Sequence, residues 1–189
     1  MDATPQGDAR TRILDAAERI VLARGVSGLT LEAAAREAGV SKGGLLYHFA
    51  SKEALLTGML DRLAAFIGAE FGKNLERQPE GPGRAARAML AWAFGESDCS
   101  PGDEHHDRAA AVFLAAFHHD PALLDPMRAV FARIKARLLE DGIPHGAAMA
   151  VLTSADGLFM AHLFGLYRPT AADVAALRAH LEGLLEAAR

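Results

Sequence analysis

Residues 40–49 (Val-Ser-Lys-Gly-Gly-Leu-Leu-Tyr-His-Phe) combine a cation with hydrogen-bonding side chains and contain no carboxylate. Lys42 supplies the positive charge, and Tyr47 and His48 add polar groups. Such side chains suit phosphate oxygens, which a nearby acid would repel. The two consecutive glycines each cost a short helix about 1 kcal/mol relative to alanine, and close approach to a duplex explains their presence. The stretch therefore predicts contact with DNA.

The residues before this stretch predict the helical framework that positions it. Thr30 is placed to cap a helix over residues 31–38, and Gly39 suits the left-handed conformation that ends a helix. Ser41 can cap the next helix, which we expect to begin near Lys42. Helix, tight turn and helix in this order are typical of a helix-turn-helix, whose second helix enters the DNA groove. The alternative is a helical hairpin with solvated basic residues, because such geometry also occurs in proteins that never touch DNA.

Two further helices complete the predicted DNA-reading head. A first helix over about Arg10 to Arg24 braces it, and Ser51 caps a long helix from Lys52 to about Arg77. Because the long helix begins beside the recognition helix and continues into the rest of the chain, it can transmit movement. The residues expected to be buried in the head are Ile13, Leu14, Ala17, Val21, Leu45 and Phe49.

Residues 12–56 resemble the N-terminal domain of the TetR family of bacterial transcriptional regulators. Three positions depart from the family pattern: Ala34 is usually a larger aliphatic residue, Gly44 a hydroxyl residue and Leu46 an aromatic one. The match rests on Arg12-Ile13-Leu14-Asp15-Ala16-Ala17, Gly25, Leu29-Thr30-Leu31, Ala35, Ala38-Gly39-Val40-Ser41, Gly43, Leu45, Tyr47-His48-Phe49 and Ser51-Lys52-Glu53-Ala54-Leu55.

The residues expected to meet double-stranded operator DNA fall into two groups. Thr30, His48 and Lys52 are expected to hold phosphates. The group expected to face bases or sugars comprises Lys42, Gly43, Gly44, Leu45 and Tyr47.

The remaining sequence predicts an all-α protein. Apolar residues recur at three- and four-residue intervals, and alternating strand patterns are missing. Breaks after the long helix divide the rest into about five helices, as in the helical bundle of TetR proteins. We expect a flexible arm over 1–9, a helix-turn-helix domain over 10–56, and a ligand-binding and dimerisation domain over 57–189. The breaks lie at 78–83, 97–103, 119–121, 141–144 and 168–170.

A helix expected over Pro144 to Tyr167 carries small residues at four-residue intervals, namely Gly157, Ala161 and Gly165. Such a stripe permits close helix contact, either in a homodimer seam or within one subunit. We favour the homodimer because a two-fold reader needs two recognition helices about one DNA turn apart. The resemblance implies the same, since TetR proteins usually dimerise through their last two helices.

Asp156 interrupts an apolar face of that helix. A buried carboxylate needs a basic partner, hydrogen-bond donors or a cationic ligand. The segment 156–159 and the recognition-helix sequence Gly-Leu-Leu-Tyr-His-Phe resemble the corresponding segments of a TetR subgroup. That subgroup represses multidrug exporters and senses cationic lipophilic drugs. The hypothesis is an apolar inducer site in which Asp156 meets the charge and aromatics stack on the ligand. The expected site comprises Phe66, Trp92, Phe113, Phe117, Phe131, Asp156, Phe159 and Met160.

Three alternatives to this hypothesis come from other features. The pairs His105-His106 and His118-His119 invite a metal-responsive regulator, although adjacent helical residues diverge by about 100 degrees and do not readily chelate one ion. A helical enzyme using His118, Asp120 and Asp156 lacks a nucleophile motif, a phosphate loop or a cofactor fingerprint. A scaffold for protein partners has no positive feature beyond helix.

Charge and composition narrow the class further. Residues 1–53 hold seven Lys/Arg and seven Asp/Glu, and the remainder holds 13 against 17, which gives the net charge of -4. Binding to DNA must therefore use locally placed cations rather than bulk charge. The single Cys99 excludes an intrachain disulfide and fits a reducing cytoplasm. No apolar run approaches the roughly 18 residues of a membrane span, so we expect a cytoplasmic protein without a membrane partner.

Together these features predict a ligand-responsive, sequence-specific DNA-binding regulator without a cofactor, metal or catalytic site. We expect a homodimeric repressor that a small lipophilic molecule releases from its operator. The hypothesis includes lipophilic molecules that carry a positive charge.

Overall fold

The computed structural model describes residues 8–95 and 104–187, with side chains from residue 110 onward in the second range. The expected N-terminal arm up to residue 7, Cys99, the break at 97–103 and the side chains of His105 and His106 lie outside this description. Within it the chain is helical and contains no strand, as the sequence predicted. The helices are α1 (Ala9–Gly28), α2 (Leu31–Ala38), α3 (Lys42–His48), α4 (Lys52–Glu76), α5 (Arg84–Ala93), α6 (Glu104–His119), α7 (Asp125–Leu139), α8 (His145–Phe164) and α9 (Ala171–Glu186), with a 3₁₀ turn at Pro121–Leu124.

The chain divides into two compact units. The first comprises Met1–Ala64 and Arg108–Met127, and the second comprises Ala65–Asp107 and Arg128–Arg189. The boundary thus falls inside α4, and the larger part of α6 groups with the predicted helix-turn-helix. No motif in the sequence indicates that grouping.

Local signals in the sequence correctly predicted how α2 begins and ends and how α3 begins. The Thr30 hydroxyl accepts a hydrogen bond from the Ala33 amide at 3.0 Å, and the Ser41 hydroxyl accepts one from the Gly44 amide at 3.0 Å. Gly39 has φ of 66°, the left-handed conformation expected of a helix-ending glycine. The predicted turn between the two helices is therefore confirmed.

The first unit has an apolar core between α1, α3 and α4. A second glycine with positive φ, Gly25, interrupts α1 close to the predicted end at Arg24. On α4, Gly58 makes room for the ring of Phe49, since a Cβ there would lie 2.6 Å from its Cε1 atom. The six residues predicted to be buried, Ile13, Leu14, Ala17, Val21, Leu45 and Phe49, are all buried.

In the second unit, α8 packs against α5 and α9. The Asp141 carboxylate accepts hydrogen bonds from the amides of Ala85 and Ala86, both at 2.9 Å, and so satisfies the open N-terminus of α5. Thr170 and Asp173 form a reciprocal capping box at the start of α9.

Candidate nucleic-acid interface and ligand site

Helix α3 presents a polar, exposed face opposite its buried side. Lys42, Gly43, Leu46 and Tyr47 are exposed on this face, since positions four residues apart lie on one side of a helix. Tyr47 is 86% exposed and its ring packs edge-on against His48, with centroids 5.1 Å apart. An aromatic side chain so exposed contributes little to the core. The face is therefore free to meet another molecule.

The expectation that Leu45 faces DNA is wrong for its side chain, which is 0% exposed. Leu45 lies on the α3 side that packs into the head, where its apolar side chain is withdrawn from water. The exposed leucine of this helix is Leu46, at 40%.

The two glycines of α3 differ in their surroundings. A Cβ at Gly43 would meet nothing within 4 Å, so no internal contact requires glycine there. A Cβ at Gly44 would lie 3.2 Å from the Ser41 hydroxyl that caps the helix. Gly44 thus has a reason inside the protein, whereas Gly43 remains consistent with close approach to a duplex.

The residues expected to hold phosphates lie around α3. Lys52 donates from Nζ to the Val26 carbonyl at 2.8 Å, which fixes the ammonium and leaves two of its three N–H donors. His48 is partly buried and Thr30 is exposed. Each side chain retains a hydrogen-bonding group for a partner.

Several charged contacts of the head were missed by the sequence reasoning. Lys42 donates to Glu32 at 2.6 Å between Nζ and Oε1. Arg62 on α4 contacts both Asp15 and Glu18 of α1, at 2.6 and 2.7 Å. These partners are 10 to 47 residues apart in sequence, so no local spacing signals them.

A contact between α6 and α4 was also missed. His119 Nε2 lies 2.9 Å from Glu53 Oε1 in the first unit. The pKa of Glu53 is lowered to about 2, first by its own backbone amide and next by His119. The Glu53 carboxylate is therefore ionised at neutral pH and ties the end of α6 to the first turn of α4.

The expected ligand residues are divided between the two units. Phe113 and Phe117 belong to the first, and the other six belong to the second. Phe117 is 53% exposed and Met160 is 36% exposed. The sequence predicted that both would line a cavity, but both side chains face solvent in the described chain. Partial burial is found for Phe66, Trp92, Phe131, Asp156 and Phe159.

Asp156 is partly buried, and burial raises the pKa of its carboxyl. Among the residues that the structure describes, no basic side chain pairs with it. The basic partner that the sequence analysis considered for Asp156 is therefore not found among the described residues.

The second unit contains a partly open cavity of about 250 Å³ between α5 and α9. Its lining includes Leu90 and Ala91 of α5 and Arg178, Glu182 and Leu185 of α9. None of the expected ligand residues lines it.

Helix α8 differs from its expected form at the C-terminal end. Gly165 has φ of 60° and ends the helix rather than continuing the stripe of small residues. Ala161 is 1% exposed within its own subunit, whereas Gly157 is exposed. Only Gly157 of the three is therefore open to a partner through its helical surface. Large apolar side chains of α8 are exposed as well, and Phe164 is the most exposed of them at 56%.

The expectation that no segment approaches the length of a membrane span is wrong. Helix α8 has 20 residues and is long and apolar enough, by length and composition, to cross a membrane. Within the described chain it is the one helix of this kind, and 28% of its apolar window is buried. Its uncovered apolar surface therefore requires an explanation.

Two groups from the alternative hypotheses, Asp120 of the enzyme hypothesis and His119 of the metal hypothesis, have structural partners. Asp120 accepts from the Ala122 amide at 2.9 Å and caps the 3₁₀ turn, and His119 pairs with Glu53. In the described part of the chain no three His, Cys, Asp or Glu side chains are placed to hold a metal ion.

Comparison with known proteins agrees with this geometry. Residues 13–59 match the family of bacterial regulatory proteins named tetR, and residues 83–186 match the tetracyclin repressor-like C-terminal domain. The chain belongs to the TetR family. The relatives that match the chain are helix-turn-helix transcriptional regulators rather than enzymes, and the resemblance seen in the sequence is confirmed.

Individual relatives show the extent of the similarity. The HTH-type transcriptional regulator EthR of Mycolicibacterium smegmatis is 33% identical over 100 residues, which cover 52% of this chain and 46% of EthR. The match thus spans less than half the length of that relative. The regulator BetI of Brucella anthropi is 28% identical over 89% of this chain and 88% of its own.

A similar solved structure is that of the multidrug binding protein EbrR complexed with malachite green. It is 27% identical, has a TM-score of 0.67, and the match covers 93% of this chain and 97% of that one.

Proposed function

We propose that this regulator is a homodimeric repressor that binds a two-fold symmetric operator and is released by a lipophilic cation. The observation that carries the DNA-binding part is the exposed face of α3, with Lys42 and the 86% exposed Tyr47. Two copies of α3 would enter successive major grooves about one turn apart and block the polymerase. Such a role belongs in the cytoplasm.

Within each half-site, the exposed and the anchored groups divide the work. Lys42, Gly43 and Tyr47 face bases or sugars, while Thr30, His48 and Lys52 hold phosphates. Gly44 is left out of this group, because its amide donates to the Ser41 hydroxyl and its position packs against that cap. Leu46 offers an apolar surface for a thymine methyl group.

A homodimer through α8 and α9 is supported by their uncovered apolar surface. Gly157, Met160 and Phe164 are exposed at intervals of three and four residues on α8, and Leu184 is exposed on α9. Exposed large apolar side chains in a contiguous patch favour a protein contact over solvent. A second copy of the chain accounts for this surface without a membrane.

The cationic nature of the inducer is supported by Asp156. Its partly buried carboxylate lacks a basic partner in the described chain, and a ligand cation would supply one. The same unit provides partly buried aromatic side chains, such as Phe66 and Phe159, on which a flat cation can stack. EbrR, which is crystallised with malachite green, supports a bulky dye-like ligand.

Release requires the ligand to favour a conformer that does not fit the operator. A tenfold preference for that conformer equals about 1.4 kcal/mol, and two ligand sites in a dimer can supply more. Since α4 has residues in both units, it is the element that we propose to carry the change.

Selection from a randomised duplex library, followed by gel shift, tests the DNA-binding proposal. We expect Lys42→Ala and Tyr47→Ala each to weaken binding to the selected sequence by about tenfold or more, equivalent to about 1.4 kcal/mol. Lys73→Ala is the matched control, because Lys73 is 60% exposed and pairs with Glu70 at 2.6 Å, as Lys42 does with Glu32. Equal affinities for all three variants would contradict the assignment of α3 as the reading helix.

A further inference from the structure

Glu32 and Lys42 form an ion pair that joins the two helices of the helix-turn-helix at its surface. Lys42 Nζ lies 2.6 Å from Glu32 Oε1, and each side chain is 61% exposed. Glu32 belongs to the first turn of α2, and Lys42 is the first residue of α3. The carboxylate therefore lies where α3 begins.

Stability does not explain this pair. Exposed ion pairs contribute little, because water and salt screen them and both side chains lose freedom. A cation in the first turn of a helix also opposes the helix dipole, which favours acids there. Lys42 thus occupies an unfavourable position for α3, and Ser41 already caps that helix. The pair is better explained by what it presents to a binding partner.

The carboxylate of Glu32 remains charged at neutral pH. The hydrogen bond from Lys42 is the main cause that lowers the pKa of Glu32. An ionised carboxylate only accepts hydrogen bonds. Next to DNA it is repelled by phosphates and finds donors only on base edges, and in the major groove the cytosine N4 amino group is the characteristic donor to Glu or Asp.

We propose that Glu32 is a specificity-determining residue that accepts a hydrogen bond from a cytosine N4 amino group in the major groove. The same carboxylate holds Lys42 Nζ beside it, so that Lys42 donates to an adjacent guanine O6 or N7. This inference rests on the proposed operator binding. It makes recognition depend on α2 as well as on α3.

Parallel selections from one randomised library with the full-length protein and two variants test the inference. Glu32→Ala removes the acceptor, and we expect the preference for cytosine at one position of each half-site to fall at least about tenfold. Because glutamine pairs with adenine N6 and N7, Glu32→Gln should shift that position toward adenine. Affinity for unrelated duplex should rise in both variants, since a negative charge is lost.

Glu37→Gln provides the matched control. Glu37 also belongs to α2, is 47% exposed and forms an ion pair, but with Arg19 at 3.1 Å. Its removal should leave the selected sequence unchanged, and thermal unfolding should show that all variants fold.

The outcomes separate this inference from the proposed function. If the natural chain selects no sequence, operator recognition fails and the inference fails with it. If the natural chain selects a sequence and both Glu32 variants keep the same base preference at every position, the inference alone is overturned.

Discussion

Asp156 illustrates how a single side chain can be retained at a cost to folding. Burial raises the pKa of its carboxyl above the ordinary 3.8, so the charged form is less stable in the folded protein than in the unfolded chain. The stability associated with the protonated form is complete below 3.8 and is lost as the pH rises through the raised value. At neutral pH the carboxylate therefore destabilises the ligand-free protein.

Asp156→Asn removes that cost, and we expect a higher unfolding temperature at neutral pH with a gain that shrinks as the pH falls toward 3.8. The same variant should bind malachite green about tenfold more weakly, because the neutral amide offers no charge to a cationic dye. Thermal unfolding as a function of pH and fluorescence titration with the dye measure the two effects.

Glu140→Gln is the control for both measurements, since Glu140 is an exposed carboxylate near the end of α7. It should change neither quantity. A dye affinity that is equal in the natural chain and in Asp156→Asn would remove the ligand role of Asp156.

Residues with local signals were predictable, whereas residues with distant partners were not. Thr30, Gly39 and Ser41 act on neighbours within a few positions, so their types alone indicated their roles. The Arg62 contacts and the Glu32–Lys42 pair depend on the packed arrangement of separate helices. No periodicity in the sequence reveals which charged side chains such packing brings together.

At the scale of the helix, α4 shows why two glycines of one element are not equivalent. A Cβ at Gly58 would lie 2.6 Å from Phe49 Cε1 and 3.3 Å from Leu14 Cδ2, both on buried side chains. A Cβ at Gly72 would meet nothing within 4 Å. Helix propensity favours alanine over glycine at both sites by about 1 kcal/mol, but overpacking opposes it at Gly58.

We expect Gly58→Ala to lower the free energy of unfolding, because overpacking of a well-packed core costs about 1–3 kcal/mol and exceeds the gain in helix propensity. Gly72→Ala should raise the free energy of unfolding by up to about 1 kcal/mol. Denaturant titration of the two variants measures the difference. A similar gain in both would show that Phe49 moves without cost.

The end of α8 was misjudged for a physical reason. A glycine four residues beyond Ala161 fits a stripe of small side chains, and it equally fits a left-handed helix terminus. The structure shows the second, with φ of 60° at Gly165. Sequence spacing alone does not distinguish the two roles, because the decisive factor is whether the following residues continue the helix.

At the scale of the whole protein, the all-α architecture and the family followed from the sequence because patterning and motif extend over most of the chain. The proposed ligand site stays a prediction, since the sequence alone does not reveal which aromatic side chains fall short of complete burial. Phe117, for example, is an aromatic residue of the kind that lines apolar pockets, but its side chain is 53% exposed.

Self-association is the property of the whole protein that the exposed part of α8 makes testable. We expect the natural chain to sediment as a dimer and Phe164→Glu to weaken the dimer by at least about tenfold, because a charge in an apolar interface is desolvated without a partner. Leu22→Glu, on a 40% exposed leucine of α1, should leave the dimer intact. A monomeric natural chain at all concentrations would contradict the proposed seam.

The grouping of residues 108–127 with the head separates the order of synthesis from the order of assembly. A ribosome releases the helix-turn-helix early, but the segment carrying His119, which anchors Glu53, emerges only after more than forty intervening residues that belong to the other unit. Vectorial folding of the nascent chain therefore cannot finish the head first. A fragment truncated after Ala64 would lack its final component.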